Sequence, residues 1–290
     1  MTRWPAIDRA PAGPVSRAVA MAVLVLVALS LAGPPGLAPA TIRKRLVGDS
    51  GTRPAPLPWI DRSSDTVLVL GHPGGERLMG RILWPATAAV KVVTEVWSDW
   101  PRHVTIIVPA DADELRALID EDGDLAHVAA LTDPGGRVVV NPEVFGGLSP
   151  AGRQIVLTHE ITHAAVRGTT SDRTPYWLAE GLAEYVAHRG TATRDRSVAK
   201  ELADEVRLGR LPARLPARSD FAGPRQAQAY QEAWLACRFM VERAGEATLK
   251  QVYRRMSAGA AIDTVLREEL GLSEAHLVAH WREYVERRLG

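Results

Sequence analysis

The stretch HEITH, residues His159–His163, decides how this chain folds and acts, together with WLAEGLAEY, residues Trp177–Tyr185. Residues four apart on an α-helix lie on one face, so His159 and His163 can direct both imidazoles toward one point. Neutral imidazole nitrogens are ligands that zinc prefers. Glu160 lies about 100° further round the helix, where it reaches a water on the metal more easily than the metal itself. The stretch therefore predicts a pair of zinc ligands with a carboxylate beside them.

The carboxylate of Glu160 is a candidate general base. Zinc lowers the pKa of a bound water to about 7, and a neighbouring carboxylate can then take its proton. The competing interpretation is an exposed helix that carries a His/Glu cluster by chance, because the motif is short. A catalytic zinc also needs a third protein ligand and an open fourth position, so the rest of the sequence has to supply one more ligand.

The second stretch offers Glu180 and Glu184, again four apart on one helix face. One of them can bind the metal, and the other can accept the outer N–H of a ligating imidazole. The alternative is that both are solvated glutamates. Trp, Leu, Ala and Gly surround them, however, and carboxylates on such a face usually have partners. Gly181 costs about 1 kcal/mol in a helix interior, which a close approach of the active-site helix would justify.

The order of the two stretches resembles that of the gluzincin zinc peptidases, most closely the peptidase MA-like family. The resemblance covers roughly Val138 to the C-terminus, and its specific part is the two motifs, including the Glu180-Gly181 pair. It implies one zinc ion per chain and a zincin-like fold. It also implies the following roles: His159, His163 and Glu180 as metal ligands, Glu160 as general base and Glu184 as the partner of a ligating imidazole.

The same resemblance implies a donor that stabilises the oxyanion formed when an amide carbonyl is attacked. Tyr230, in QAQAYQEAW, matches the position of a tyrosine on a later helix of these enzymes. The alternative is an ordinary helix tyrosine with its ring in the core. Tyr176 and Tyr185 are weaker candidates for this role. The sequence lacks the exopeptidase segment of the aminopeptidase relatives, so aminopeptidase specificity is not implied.

The pattern along the chain predicts an α+β fold. TVLVLG, HVTIIVP and RVVVNP have strand character, and DPGG (Asp133–Gly136) indicates a hairpin turn. RVVVNP is expected to form the sheet edge along which a peptide substrate binds, with an interior hairpin strand as the alternative. Ser149-Pro150 and Thr174-Pro175 each indicate a helix start. We expect a small mixed or antiparallel sheet lobe over about 61–148 and an all-helical lobe over about 149–290, with the active-site helix between them.

The N-terminal residues differ in kind from the rest. Arginines precede an apolar run at Ala18–Ala32, and small residues follow at Ala38–Ala40. This pattern predicts a signal peptide over residues 1–40, with an uncleaved membrane anchor as the alternative. Residues 41–60 are rich in Pro and Gly and are interpreted as a linker. In both cases residues 61–290 are expected to be secreted or to lie in the cell envelope, outside the cytoplasmic membrane.

Composition excludes some functions. Hydrophobic residues make up 46% of the chain and charged residues 24%, which is typical of a globular protein with a core. The net charge is +1 and no long basic run is present, which argues against nucleic-acid binding. The single cysteine, Cys237, excludes an internal disulfide and is expected to be a small buried side chain. HLVAH (His276–His280) is interpreted as a surface histidine pair. His188 is interpreted as a histidine that interacts favourably with the C-terminal end of its helix dipole.

The leading interpretation is an exported zinc peptidase that acts on a peptide or protein substrate, with membrane contact only through an uncleaved N-terminal segment. One competing interpretation is a catalytically inactive zincin-fold module that binds partners or has a structural role at the cell surface. The other is zinc-dependent hydrolysis of a non-peptide amide. A complete ligand set with Glu160 beside it favours the enzyme, because a binding module has no need of a general base.

Overall fold

The computed structural model describes residues 57–119, 125, 127–191 and 193–290. The predicted signal peptide and most of the predicted linker lie outside the described residues. Within the described ranges, no helix combines the length and the apolar character that a membrane crossing requires.

A mixed sheet of five strands forms the first part of the described chain. The strands are β1 Ile60–Ser63, β2 Val67–Gly71, β3 Val104–Ile107, β4 Ala130–Thr132 and β5 Val138–Val140. Their order is β1-β2-β3-β5-β4, with parallel pairing between β2 and β3 and between β3 and β5, and antiparallel pairing of β1 and β4 at the two edges. Runs of β-branched and other apolar residues account for the central strands. Strand β5 is buried throughout, whereas β2 and β3 each include half-buried positions.

The hairpin predicted at Asp133–Gly136 is confirmed. The amide of Gly136 donates to the carbonyl of Asp133, and Gly136 has a φ of 80°, which glycine adopts without strain. The prediction that RVVVNP forms the sheet edge is wrong, because β5 pairs with β3 on one side and with β4 on the other. All three of its valines are fully buried, as expected of an interior strand. The edge strand beside it is β4.

The regular elements of the described chain after β5 are all helical, so the α+β prediction holds at the level of fold class. The helix bounds are α1 Glu76–Val96, α2 Ala112–Ile119, α3 Pro142–Gly147, α4 Pro150–Val166, α5 Tyr176–His188, α6 Asp195–Val198, α7 Lys200–Arg207, α8 Gln226–Ala244, α9 Glu246–Ser257, α10 Ile262–Leu270 and α11 Glu274–Leu289. Two short 3₁₀ segments, Arg218–Phe221 and Gly223–Arg225, precede α8. The boundaries of the signal peptide, linker and lobes stay predictions.

Helix α4 begins as its sequence predicts. Ser149 accepts a hydrogen bond from the amide of Gly152 at 3.1 Å, and Pro150 occupies the first turn. Helix α5 begins differently from the prediction, because Thr174 does not cap it. The Thr174 hydroxyl instead lies 2.8 Å from the Ser257 hydroxyl at the end of α9, and α5 begins at Tyr176. Helix α4 packs between β4, α1 and α5, so the HEITH stretch lies inside the molecule.

Gly181 explains how α5 is positioned. A Cβ at this residue would lie 2.4 Å from the carbonyl oxygen of Ala233 and 2.7 Å from the sulfur of Cys237, both on α8. The close approach expected from the sequence is therefore present, but the helix that approaches is α8 and not the active-site helix α4. Cys237 is buried, as predicted, and its burial raises the pKa of the thiol.

Candidate metal centre

Three side chains from two helices converge in the interior. His159 and His163 project from α4, and Glu180 projects from α5. The Nε2 atoms of the two histidines are 3.1 Å apart, and the Glu180 Oε2 atom is 3.4 Å from the first and 3.5 Å from the second. All three residues are buried. Within the described ranges, no other group of three or more His, Cys, Asp or Glu side chains converges in this way.

The geometry of this cluster fits zinc. Ligands placed tetrahedrally at about 2.0–2.1 Å from a zinc ion lie about 3.3–3.4 Å from one another. The three measured separations, 3.1, 3.4 and 3.5 Å, agree with that value. Two imidazole nitrogens and one carboxylate oxygen also form the donor set of a catalytic zinc site, in which the fourth position stays open. The three residues can therefore hold one zinc ion.

Glu184 supports the cluster from the other side of His159. Its Oε1 atom lies 3.0 Å from His159 Nδ1, and its Oε2 atom lies 3.3 Å from His188 Nε2. The ring of His188 in turn packs on Trp234 of α8, with 5.5 Å between the ring centroids. The interpretation of His188 as a helix-end residue therefore did not include its contact with Glu184. The spacing of four residues between Glu184 and His188 was the signal for it.

The histidines and carboxylates of this cluster shift one another's pKa values. Burial lowers the pKa of His159, but the carboxylates of Glu180 and Glu184 outweigh it and raise that pKa to about 10. Burial would raise the pKa of both carboxyls, but His163 and His159 hold that of Glu180 below its usual value, and His159 and His188 hold that of Glu184 far below it. Both carboxylates are therefore ionised at neutral pH and suited to bind a cation or a protonated imidazole nitrogen.

Glu160 lies in the same interior, against the edge strand. Its side chain is fully buried, and its Oε2 atom lies 2.8 Å from the Thr132 hydroxyl at the end of β4. Its Oε1 atom has no hydrogen-bond partner among the described residues. Burial raises the pKa of Glu160, while the histidines His159 and His163 oppose that shift. A buried carboxyl with one oxygen left for a non-protein partner is the arrangement that a general base needs.

Two tyrosines lie beside the cluster. The ring of Tyr230 on α8 is 6.3 Å from that of His159, measured between centroids. Tyr176 at the start of α5 lies one helix turn before Glu180, and burial together with the Glu180 carboxylate raises the pKa of its hydroxyl. The ring of Phe221 packs edge-on against both tyrosines. The structure thus brings Tyr230 and Tyr176 together at the candidate site.

Other sequence candidates lie elsewhere. The hydroxyl of Tyr185 donates to Glu246 of α9 at 2.6 Å, so it is not part of the cluster. His276 is an exposed residue at the start of α11, and it belongs to no cluster of ligating side chains in the described part of the chain. The sequence did not indicate Thr132, because it meets Glu160 only through the packing of β4 against α4.

Comparisons with known proteins give little further information. No family model matches the chain, and no curated protein sequence matches it. Among solved structures, a substrate-bound mutant of an M1 zinc metallopeptidase from Deinococcus radiodurans aligns with a TM-score of 0.43 and 17% sequence identity. The alignment covers 80% of this chain and 52% of that one, so this chain spans about half the length of that protein. At this level the likeness assigns neither a fold nor an activity to this chain.

Proposed function

We propose that this chain is a zinc-dependent peptidase of the gluzincin type. The observation that supports this most directly is the convergence of His159, His163 and Glu180, with the buried carboxyl of Glu160 beside them. The three ligands would hold one zinc ion. Bound zinc supplies a Lewis acid that polarises the scissile carbonyl and lowers the pKa of water.

Glu160 acts as general base and then as general acid. It takes a proton from the attacking water and passes it to the nitrogen of the leaving amine. Burial raises the pKa of Glu160, which makes its carboxylate a stronger proton acceptor than a solvated one. Thr132 holds one carboxylate oxygen at 2.8 Å, and the other stays available for the water. A binding module would have no use for this buried carboxyl.

Glu184 and Tyr230 have supporting roles in the proposal. Glu184 accepts the Nδ1 proton of His159, which leaves the lone pair of Nε2 free to bind the metal. Tyr230 donates to the oxyanion that develops on the scissile carbonyl, and the packing of both Tyr230 and Tyr176 against Phe221 orients its ring.

The substrate backbone is proposed to bind along β4 and not along β5. β4 is the edge strand, and its last residue, Thr132, contacts Glu160, so a peptide paired with this edge would pass the general base. Because main-chain hydrogen bonds do not involve the side chains of the substrate, this mode of binding accepts peptides of many sequences. The proposed site of action is outside the cytoplasmic membrane, and this rests on the predicted signal peptide alone.

The proposal is tested with the zinc-loaded protein and a library of internally quenched peptides. We expect cleavage that a zinc chelator abolishes and that added zinc restores. Mass spectrometry of the products identifies the bond that is cut. If the folded, zinc-loaded protein leaves every peptide intact, the inactive module is the better interpretation. If it cleaves only non-peptide amides, the substrate class is wrong.

A further inference from the structure

A cavity of about 190 Å³ opens beside the candidate metal centre. Its walls are the connection between α4 and α5, the residues Tyr176 and Ala179 of α5, and Arg218 of the 3₁₀ segment before α8. Ala179 directly precedes the candidate ligand Glu180, and Tyr176 lies one helix turn before Glu180 on the same face of α5. A group bound in this cavity would therefore lie close to the reacting bond of a peptide.

The hydroxyl groups in the cavity wall are already used within the protein. Ser171 donates to the carbonyl of Ser257 at 2.6 Å, and Thr174 lies 2.8 Å from the hydroxyl of the same residue. Thr170 lies 2.6 Å from the hydroxyl of Tyr253. These contacts tie the wall to α9 and hold it in place. The remaining polar groups that can recognise a ligand are the two charged side chains, Arg218 and Asp172.

Arg218 is held in place without being neutralised. Its guanidinium carbon lies 4.8 Å from the centroid of the Tyr176 ring, so the ring supports the planar group. Within the described ranges it forms no ion pair with a carboxylate. Arg214 and Arg225, on either side of it in sequence, both pair with Asp220. Among these three arginines, only Arg218 forms no ion pair with a described carboxylate, so its N–H groups can donate to a ligand.

We propose that this cavity is a substrate subsite in which Arg218 binds a carboxylate of the peptide. The inference rests on the proposed peptidase function and adds a substrate class to it. A guanidinium matches a carboxylate because two parallel N–H groups can donate to its two oxygens. Asp172 also lines the cavity, but within the described ranges it forms no ion pair with Arg218, so the guanidinium is not neutralised by it. The carboxylate is either an acidic side chain or a free C-terminus.

The test measures binding to the full-length, zinc-loaded Glu160→Gln protein, in which the expected slow cleavage leaves time to measure binding. The probes are fluorescein-labelled alanine peptides in which each position in turn carries Glu, Gln or Lys, made with free and with amidated C-termini. We expect one carboxylate to tighten binding by about 10- to 100-fold, as for a hydrogen bond to a charged group. Adding Arg218→Gln is expected to abolish that preference, whereas Arg210→Gln, an equal change of charge outside the cavity, keeps it.

The two sources of the carboxylate give different results. A difference between Glu and Gln peptides assigns the subsite to an acidic side chain, and a difference between free and amidated peptides assigns it to the C-terminus. The proposal is overturned if no carboxylate tightens binding, if the preference survives Arg218→Gln, or if Lys is preferred and Asp172→Asn removes that preference.

Failure of the subsite and failure of the peptidase are distinguishable. Peptide cleavage by the wild-type protein without any preference for a carboxylate refutes the subsite alone. Binding that depends on a carboxylate and on Arg218, without cleavage of any peptide by the wild-type protein, supports the subsite and refutes the peptidase.

Discussion

The Glu160→Gln variant is expected to cleave peptides about 10²- to 10⁴-fold more slowly than the wild-type protein, which is the range that general acid–base catalysis contributes. The substitution keeps the shape of the side chain and its contact with Thr132 but removes the basic oxygen. A glutamine cannot take the proton of water or return it to the leaving amine. The measurement is kcat on a peptide that the wild-type protein cleaves, with zinc content determined on the same samples.

Zinc content separates a chemical defect from a structural one. Glu160 is not one of the three converging ligands, so the variant is expected to keep its metal. Glu143→Gln serves as a control, because Glu143 is an exposed residue on the neighbouring helix α3 and its replacement should leave the rate unchanged. Cleavage by Glu160→Gln at the wild-type rate would contradict the assigned role.

The Gly181→Ala variant is expected to lose stability. A Cβ at this residue would lie 2.4 Å from a backbone oxygen of α8, which cannot move away as a flexible side chain can. Overpacking of this kind costs about 1–3 kcal/mol, which outweighs the helix propensity that alanine gains over glycine, about 1 kcal/mol. Chemical denaturation of the metal-free protein should show a lower free energy of unfolding. A shift of α5 would also displace Glu180, so zinc should bind more weakly.

Gly80→Ala is the matched control for this prediction. Gly80 lies within α1, and a Cβ there would meet no atom within 4 Å. Its replacement should raise the free energy of unfolding by up to about 1 kcal/mol, because only the helix propensity changes. If Gly181→Ala is as stable as the wild-type protein, then α5 and α8 do not approach each other as closely as described.

The sequence predicted those parts of the site that depend on local geometry. His159 and His163 share a helix face because they are four residues apart, and Glu180 and Glu184 do so for the same reason. The Ser149 cap and the turn at Gly136 are also local features, and the structure contains both. Within a helix or a turn, spacing alone fixes which side chains are neighbours.

The sequence did not predict contacts between distant parts of the chain. Thr132 meets Glu160 only because β4 packs on α4, and Gly181 faces α8 and not α4 because of the order in which the helices stack. The edge position was assigned to β5 and belongs to β4, since strand order follows from the whole sheet. Arg218 gave no local signal, because its partner Tyr176 lies on another element.

Zinc stoichiometry tests the central claim most directly. Elemental analysis of the purified wild-type protein should find one zinc ion per chain, and His163→Ala and Glu180→Ala should each lose it or bind it much more weakly, because each removes one of three ligands. His276→Ala, which changes an exposed histidine outside the cluster, should keep it. A folded wild-type protein without zinc, or full zinc occupancy in both ligand variants, would contradict the account.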